Sequence, residues 1–341
     1  MSELMYQKIK FVPDIEIYSA LERKNIAFTG TIDYLPWIAV SMTSIILHNK
    51  AMKICFHLFL NKLSEESRIK LREFAKKWNI PIYVYIMNDA MLLKFSAFQR
   101  YQIQGNYIPA FIYRFFIPDI LYNIADRILY LDGDVLCNGS IQKLLDVDLS
   151  ENIIAASEDL KSQEYAARLH IQRYFNSGVL LIDIRKWHLH SISEQLTKEI
   201  EKNIESGIDL PCPDQDILNI LLHEKTLFVD QCYNLPYRLV QPSLIKPKII
   251  NENPESASLI HFIGAIKPWT NYNQSVSIVK AWAEAKANSP WLDEPLHKPQ
   301  SQKALHQAAR DWRRQKKWMA MMKAYGCFFY SKFNGTQKNG Y

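Results

Sequence analysis

The sequence predicts an α/β protein built on a doubly wound parallel sheet, and three observations predict it. Between residues 25 and 87, apolar segments of strand length alternate with segments of helical apolar spacing, the pattern of strand–helix–strand units. A further apolar strand, Arg127-Ile128-Leu129-Tyr130-Leu131, ends abruptly in Asp132-Gly133-Asp134. A strand interior cannot hold two unpaired charges, so these acids belong at its carboxyl end, where such sheets keep their ligands. No run reaches the roughly 18 apolar residues needed to cross a bilayer, and 48% hydrophobic with 22% charged residues is an ordinary globular balance.

In chain order, residues 1–24 are mixed and give no motif. Residues 25–30 read as a first strand, followed by a helix in which Leu35, Ile38, Met42, Ile45 and Ile46 fall at helical spacing. Residues 53–60 form a second strand. Ser64 then starts an amphipathic helix carrying Leu71, Phe74 and Trp78, and residues 81–87 make a third strand. Residues 109–125 look helical, with Pro118 able to break or restart them. After the two aspartates, residues 153–157 form a short strand ending at Glu158-Asp159. A turn-like Asn176-Ser177-Gly178 precedes the apolar strand 179–184. Residues 187–206 read as one helix, and Asp214 is the expected N-cap of a short helix over 217–222. Residues 259–262 are the last strand, followed by Gly264, Lys267, Pro268 and Trp269. The expected organisation is a lead-in (1–24), a catalytic domain (25–289) and a basic, aromatic C-terminal region (290–341).

The charge is uneven. From His297 to Tyr341 ten basic residues face one acid, Asp311, for +9, whereas the rest of the chain is near neutral at −3. That asymmetry asks for an acidic partner of the tail. The five cysteines are odd in number and far apart, which fits neither a disulfide framework nor a zinc site and suggests a reducing cytoplasm. No secretion signal is expected, because the first residues lack an apolar core.

Side chains alternate along a strand, so Asp132 and Asp134 point the same way and can grip one cation. Gly133 would leave room between them for a ligand's backbone or phosphate. Such a pair suits a divalent metal holding a diphosphate; an acidic turn after a core strand fits the same residues. There is no glycine-rich phosphate loop, and Gly is scarce at ten residues, so a phosphate ligand would need a metal and side chains.

Four segments in order resemble glycosyltransferase family 8: Leu129-Tyr130-Leu131-Asp132-Gly133-Asp134, Phe175-Asn176-Ser177-Gly178-Val179-Leu180-Leu181, Asp214-Gln215-Asp216-Ile217-Leu218-Asn219, and His261 through Trp269. The resemblance is closest to the bacterial enzymes that add α-linked glucose or galactose to the lipopolysaccharide core, and it covers about residues 25–295. It implies a GT-A-type, Rossmann-like nucleotide-sugar binding sheet with a C-terminal helical basic and aromatic tail. It also implies a UDP-hexose donor, a lipopolysaccharide core acceptor, and Mn²⁺ or Mg²⁺ as cofactor.

Carried over residue by residue, the resemblance makes Asp132, Asp134 and His261 the metal ligands, with the metal neutralising charge on the leaving UDP. Lys267 would set a point charge beside the diphosphate, and Gly264 would let backbone approach it. Outside the motif, His261 reads as a core histidine and Lys267 as a solvated lysine. Arg114 matches the arginine that reaches donor sugar and phosphate, or else a structural ion pair. Asp159 matches an acid bonded to sugar hydroxyls, and Asn176 and Asp214 are similar candidates. Gln215 corresponds to the residue on the face of the anomeric carbon away from UDP. An amide is a poor nucleophile, so front-side displacement with retention is expected, the leaving phosphate taking the acceptor's proton. The first loop, Thr29-Gly30-Thr31-Ile32-Asp33-Tyr34, departs from the family. Thr31 stands where an acid usually reads uracil, Asp33 falls where an asparagine commonly contacts the nucleoside, and Tyr34 can still stack on the base.

In the tail, Leu305, Ala308, Ala309, Trp312 and Met319 are expected to share one helical face and Arg310, Arg313, Arg314 and Lys317 another. Tyr325, Phe328, Phe329, Tyr330 and Phe333, mixed with Lys323 and Lys332, lie beyond. A basic amphipathic helix with aromatics suits an anionic membrane surface, placing the protein peripherally on the cytoplasmic face of the inner membrane. A helix packed on the body with a solvated basic face is the other reading. Nucleic acid is not an expected partner, because the body has no binding motif. The rival from another class is a haloacid-dehalogenase-type phosphatase with Asp132 as nucleophile and Asp134 as general acid, though that fold carries its aspartates on its first strand.

Overall fold

Strand β3 (Ile54–Leu60) is buried along its whole length, because helices cover both faces of the sheet it belongs to. The molecule is a computed structural model that describes residues 6–11, 23–92, 110–206, 210–239, 254–274, 276–299 and 301–334. Around β3 stand β2 (Lys24–Gly30) and β4 (Ile82–Met87), with helices α1 (Leu35–His48) and α2 (Glu65–Trp78) between them. Ser64 caps α2 by accepting the N–H of Ser67. The lead-in, which carried no motif, supplies an edge strand, β1 (Tyr6–Phe11), antiparallel to β4.

Beyond the central strands come β5 (Arg127–Leu131), β6 (Val135–Cys137), β7 (Ile154–Ser157), β8 (Val179–Asp183), β9 (Thr226–Val229), β10 (Leu235–Tyr237) and β11 (Leu259–Phe262). The large sheet runs β1-β4-β3-β2-β5-β8-β7-β9, and a small sheet runs β10-β11-β6. The expectation of a parallel sheet needs one correction. Strands β4, β3, β2 and β5 are parallel, but β8 runs antiparallel to both β5 and β7. A buried strand's apolar pattern carries no information about its direction.

One further expectation is met in part and two are corrected. Residues 110–125 begin as a 3₁₀ turn, Ala110–Phe116, and restart as α3 (Ile117–Leu121) with Pro118 in its first turn; residue 109 lies outside the described residues. The helix expected over 187–206 is two, α4 (Ile184–Leu189) and α5 (Ile192–Ser206), separated where Ser191 takes a φ of 51°. The helix expected over 217–222 starts earlier, as α6 (Pro213–Leu222), with Cys212 at its N-cap and no side-chain cap. Asp214 is therefore not the cap. It lies in the first turn and faces Arg114, while Asp216 accepts the Cys212 N–H at 3.2 Å.

The core lies on both faces of the large sheet, with Ile38, Met42 and Phe74 on one and Tyr113, Phe115 and Trp187 on the other. A third cluster joins the small sheet to helix α7 (Ser277–Asn288) through Trp37, Trp269 and Trp282. Trp37 and Trp269 stack with centroids 5.2 Å apart, a contact worth about 0.5–1.5 kcal/mol beyond its buried area. It pins the loop after β11, which carries Gly264 and Lys267, to α1.

The tail is also two helices rather than one, α8 (Gln302–Arg314) and α9 (Trp318–Asn334), broken where Lys316 adopts a φ of 57°. Helix α8 buries Ala308 and Ala309 and is bonded to the body: Gln307 donates to the Leu239 carbonyl, and Asp311 accepts the Asn273 N–H at 2.6 Å. Met319, 83% exposed, lies in the first turn of the second helix and does not share the buried face. The side chains of Lys332 and Phe333 lie outside the described ones.

Candidate functional site

Strand β5 pairs with β2 on one side and β8 on the other, with Tyr130 opposite Ala27 and Leu180. The chain leaves the sheet at Asp132, whose N–H bonds the Gly178 carbonyl, turns, and enters the small sheet as β6. Strand β11 runs antiparallel to β6 with His261 opposite Val135, and the Phe262 N–H bonds the Asp134 carbonyl. This register brings an imidazole far along the chain onto the two acids. His261 Nε2 is 3.2 Å from Asp134 Oδ1 and 3.8 Å from Asp132 Oδ2.

One ligand atom from each of Asp132, Asp134 and His261 lies within 4.8 Å of the others. Two carboxylate oxygens and one imidazole nitrogen fit Mn²⁺ or Mg²⁺ with oxygens of another group completing the shell. Burial opposes the charge on Asp134, but His261 and Lys267 outweigh it and hold the carboxyl well below the usual range. Burial likewise opposes charge on His261, and the two aspartates outweigh it and raise the imidazole's pKa.

Two cations flank the acids. The buried Arg114 guanidinium donates to Asp132 Oδ1 at 2.9 Å and to the Ser177 carbonyl and hydroxyl at 3.1 Å, and it pairs with Asp214 at 3.3 Å. Burial pushes the Asp214 carboxyl up despite that pair. Arg114 lies 4.6 Å over the Tyr130 ring, and the Tyr130 hydroxyl donates to Asp132 at 2.6 Å. Thr29 Oγ1 is bonded to the same hydroxyl at 3.1 Å, so it faces the protein. Lys267 Nζ bonds Asp134 and the Phe262 carbonyl. Gly264 has a φ of 87° with no atom near the place of a β-carbon, so the loop's conformation requires a glycine there.

On the other side of the acids, Asp159 Oδ2 accepts from Asn176 Nδ2 at 2.9 Å and from Gln215 Nε2 at 3.3 Å. Gln215 Oε1 accepts from the Ser177 N–H at 2.9 Å and from its hydroxyl. The amide is thereby held with its nitrogen toward Asp159 and its oxygen already hydrogen-bonded.

The first loop reaches the acids through one residue. Asp33 is exposed and Thr31 half-buried, whereas Tyr34 packs over Gly133 and meets Trp269 edge-on at 5.3 Å. On one side of Gly133 the room is taken from within: a β-carbon there would stand 2.7 Å from Ile38 Cγ1 and 2.8 Å from Tyr34 Cε1. The glycine lets α1 close on the acids from the side where a β-carbon would stand.

Besides Tyr130 and Ser177, described above, sequence reasoning missed three residues of the site. Gly178 lies against His261 and Asp132; its place in a turn before a strand was the available signal. Asp216, fully buried, accepts from Arg168 through both oxygens and from the Tyr174 hydroxyl at 2.6 Å, clamping α6 to the segment before β8. Asn234, also fully buried, bridges Asn176 and His261, and nothing in its sequence neighbourhood marks it.

A family model described as "Glycosyl transferase family 8" matches residues 25–273. The chain is 27% identical to the "Lipopolysaccharide glucosyltransferase WaaO" of Escherichia coli (strain K12) over 97% of this chain and 99% of that one. It is 31% identical to the "Lipopolysaccharide 1,3-galactosyltransferase" of Salmonella typhimurium over 92% and 93%. The crystal structure of galactosyltransferase LgtC with donor and acceptor sugar analogues matches at a TM-score of 0.61 and 22% identity, over 78% of this chain and 96% of that one. GlyE of Streptococcus pneumoniae TIGR4 matches at 0.57 and 25%, over 77% and 60%. The shared architecture is the GT-A-type fold expected from the sequence.

Proposed function

Because the chain belongs to glycosyltransferase family 8, we propose that it moves a hexose, glucose or galactose, from a UDP-sugar to the lipopolysaccharide core oligosaccharide, with a divalent metal and retention of the α configuration. The observation that carries this reading is the meeting of Asp132, Asp134 and His261 with Arg114 and Lys267 at the seam of the two sheets. Two relatives that match over nearly their whole length are named as lipopolysaccharide glycosyltransferases, which supports the acceptor class.

A divalent metal held by Asp132, Asp134 and His261 would supply a Lewis acid at the diphosphate. Lys267 would turn from Asp134 to the departing phosphate, and Arg114, tied to Asp132 and Asp214, would hold the floor of the sugar pocket. Asp159 and Asn176 would bind sugar hydroxyls. Gln215 offers an oxygen already engaged by Ser177, which favours front-side displacement over a covalent intermediate; trapping the sugar on Gln215 would refute that. In the first loop, Thr31 would bond uracil without a charge, Asp33 the nucleoside, and Tyr34 would stack on the base.

For the tail, the partner we assign is an anionic membrane surface. Trp318, Met319, Met322, Phe329 and Tyr330 are exposed on α9, beside the basic end of α8 and the Lys316-Lys317 break, a pairing of apolar and cationic groups suited to lipid headgroups. No described helix is long and apolar enough to cross a membrane. The phosphatase alternative is set aside, since β5 follows four strands and Asp132 is engaged by Arg114 and Tyr130.

The test is a panel of UDP-sugars offered to purified protein with Mn²⁺ or Mg²⁺, scoring release of UDP against release of inorganic phosphate. UDP release from UDP-glucose or UDP-galactose is expected, and phosphate release instead would overturn the reading.

A further inference from the structure

Asn234 is fully buried between the acid–amide pair on one side of the site and the imidazole on the other. Two atoms that cannot change roles fix the polarity of the hydrogen bonds through it. The Gly178 backbone N–H can only donate, and it points at Asn176 Oδ1 at 3.0 Å. That orients the Asn176 amide, whose Nδ2 then donates to the Asp159 carboxylate at 2.9 Å. Asn176 Oδ1 also meets the Asn234 side chain at 2.9 Å, so Asn234 must present its Nδ2 there. Its Oδ1 is left facing His261 Nδ1 at 3.1 Å, and an amide oxygen accepts only, so Nδ1 must carry a proton. With Nδ1–H engaged, the nitrogen that carries the lone pair whenever the ring is neutral is Nε2, the one that faces Asp134 and Asp132.

We infer that Asn234 is a positioning residue that sets the Nδ1–H tautomer of His261, so that Nε2 is offered to a divalent cation between Asp132 and Asp134. It rests on the metal-dependent reading above. An outer hydrogen-bond partner of this kind orients a ligating imidazole and raises its basicity, and its loss typically weakens metal binding about 10–100-fold. The same amide ties the metal side of the site to the Asp159–Asn176 pair on the sugar side, through side chains that are all held by the protein itself.

The test uses the full chain and Mn²⁺ alone, with binding read by electron paramagnetic resonance, and thermal melting as a check on folding. Asn234→Leu, which removes the acceptor, is expected to weaken Mn²⁺ binding about 10–100-fold. Asn234→Asp, which keeps an acceptor for Nδ1–H but loses the donor to Asn176, is expected to stay closer to the parent than to the leucine variant. Nitrogen-15 spectra of the Mg²⁺-loaded parent should show the His261 proton on Nδ1, and they decide the matter if the leucine variant does not fold. Equal losses in the two variants, unchanged binding in Asn234→Leu, or a proton on Nε2 would each overturn the inference. Absence of Mn²⁺ binding by the parent, with and without UDP, would instead overturn the metal-dependent reading and the inference with it.

Discussion

Gly178 and His261 approach so closely that a β-carbon on the glycine would stand 2.2 Å from His261 Cε1 and 2.9 Å from Asp132 Oδ2. The glycine ends a turn whose Ser177 and Asn176 serve Gln215, Arg114 and Asp159, so the backbone cannot retreat without moving all of them. Gly178→Ala is therefore expected to displace His261. Stability should fall by about 1–3 kcal/mol, the usual range for overpacking, while Mn²⁺ affinity falls by more than about tenfold, the low end for a disturbed ligand environment. Urea denaturation and Mn²⁺ titration check the two together; parent-like metal affinity would mean that the ring yields freely.

Arg114 neutralises two acids from different elements, Asp132 after β5 and Asp214 in α6. Removing one partner of a buried pair leaves its charge uncompensated, which typically destabilises by about 3–5 kcal/mol. Arg114→Met should show a loss of that order in urea melts, and adding Asp214→Asn should recover part of it, because that carboxyl's pKa is already raised by burial. No recovery in the double variant would place the loss elsewhere.

His57 lies fully buried in β3, with Nε2 3.0 Å from Asn25 Oδ1 and Nδ1 3.2 Å from the Tyr85 hydroxyl. Burial, with a smaller contribution from Lys8, pushes its pKa from 6.5 down to about 3. Between those values the unfolded chain binds a proton that the folded chain refuses. Stability from this group is fully present above pH 6.5 and declines as the pH falls toward 3, by up to about 1.4 kcal/mol per pH unit. Urea melts at stepped pH should show a flatter acid slope for His57→Gln than for the parent.

Helix α8 is bonded to the body through Asp311 and Gln307, whereas α9 displays the exposed aromatics. Truncation after Lys317 is expected to release the protein from anionic vesicles with UDP release retained. Truncation after Pro299 should in addition lower the melting temperature, because it uncovers the surface beneath Ala308 and Ala309 and frees Asn273, near the Lys267 loop. Undiminished vesicle binding after the shorter cut would count against the membrane surface as partner.

Much of the fold and site was legible in the sequence, for identifiable reasons. Period and length place the strands from β2 to β5, and charge at the end of an apolar strand places Asp132 and Asp134. The direction of β8 and the kinks at Ser191 and Lys316 were not legible, since neighbours elsewhere in the fold decide them. The same holds for side-chain partners. His261 and Lys267 stood out through their motif, but that Lys267 pairs with Asp134 and that Asn234 holds His261 depends on the register of β6, β11 and β10, which no local pattern encodes. At Gly133 a local pattern likewise cannot show that Ile38 and Tyr34 occupy the side where a β-carbon would stand.

On the proposed reading, the seam of the two sheets is a metal-dependent UDP-hexose site. Its most direct test is UDP release from UDP-glucose and UDP-galactose in the presence of lipopolysaccharide core acceptor, with Mn²⁺ and after chelation, for the parent and Asp134→Asn. Release is expected from at least one donor, lost on chelation, restored by Mn²⁺, and reduced at least about 100-fold in the variant, the scale for removing one charge-stabilising group. Release that persists unchanged after chelation, or in Asp134→Asn, would contradict it.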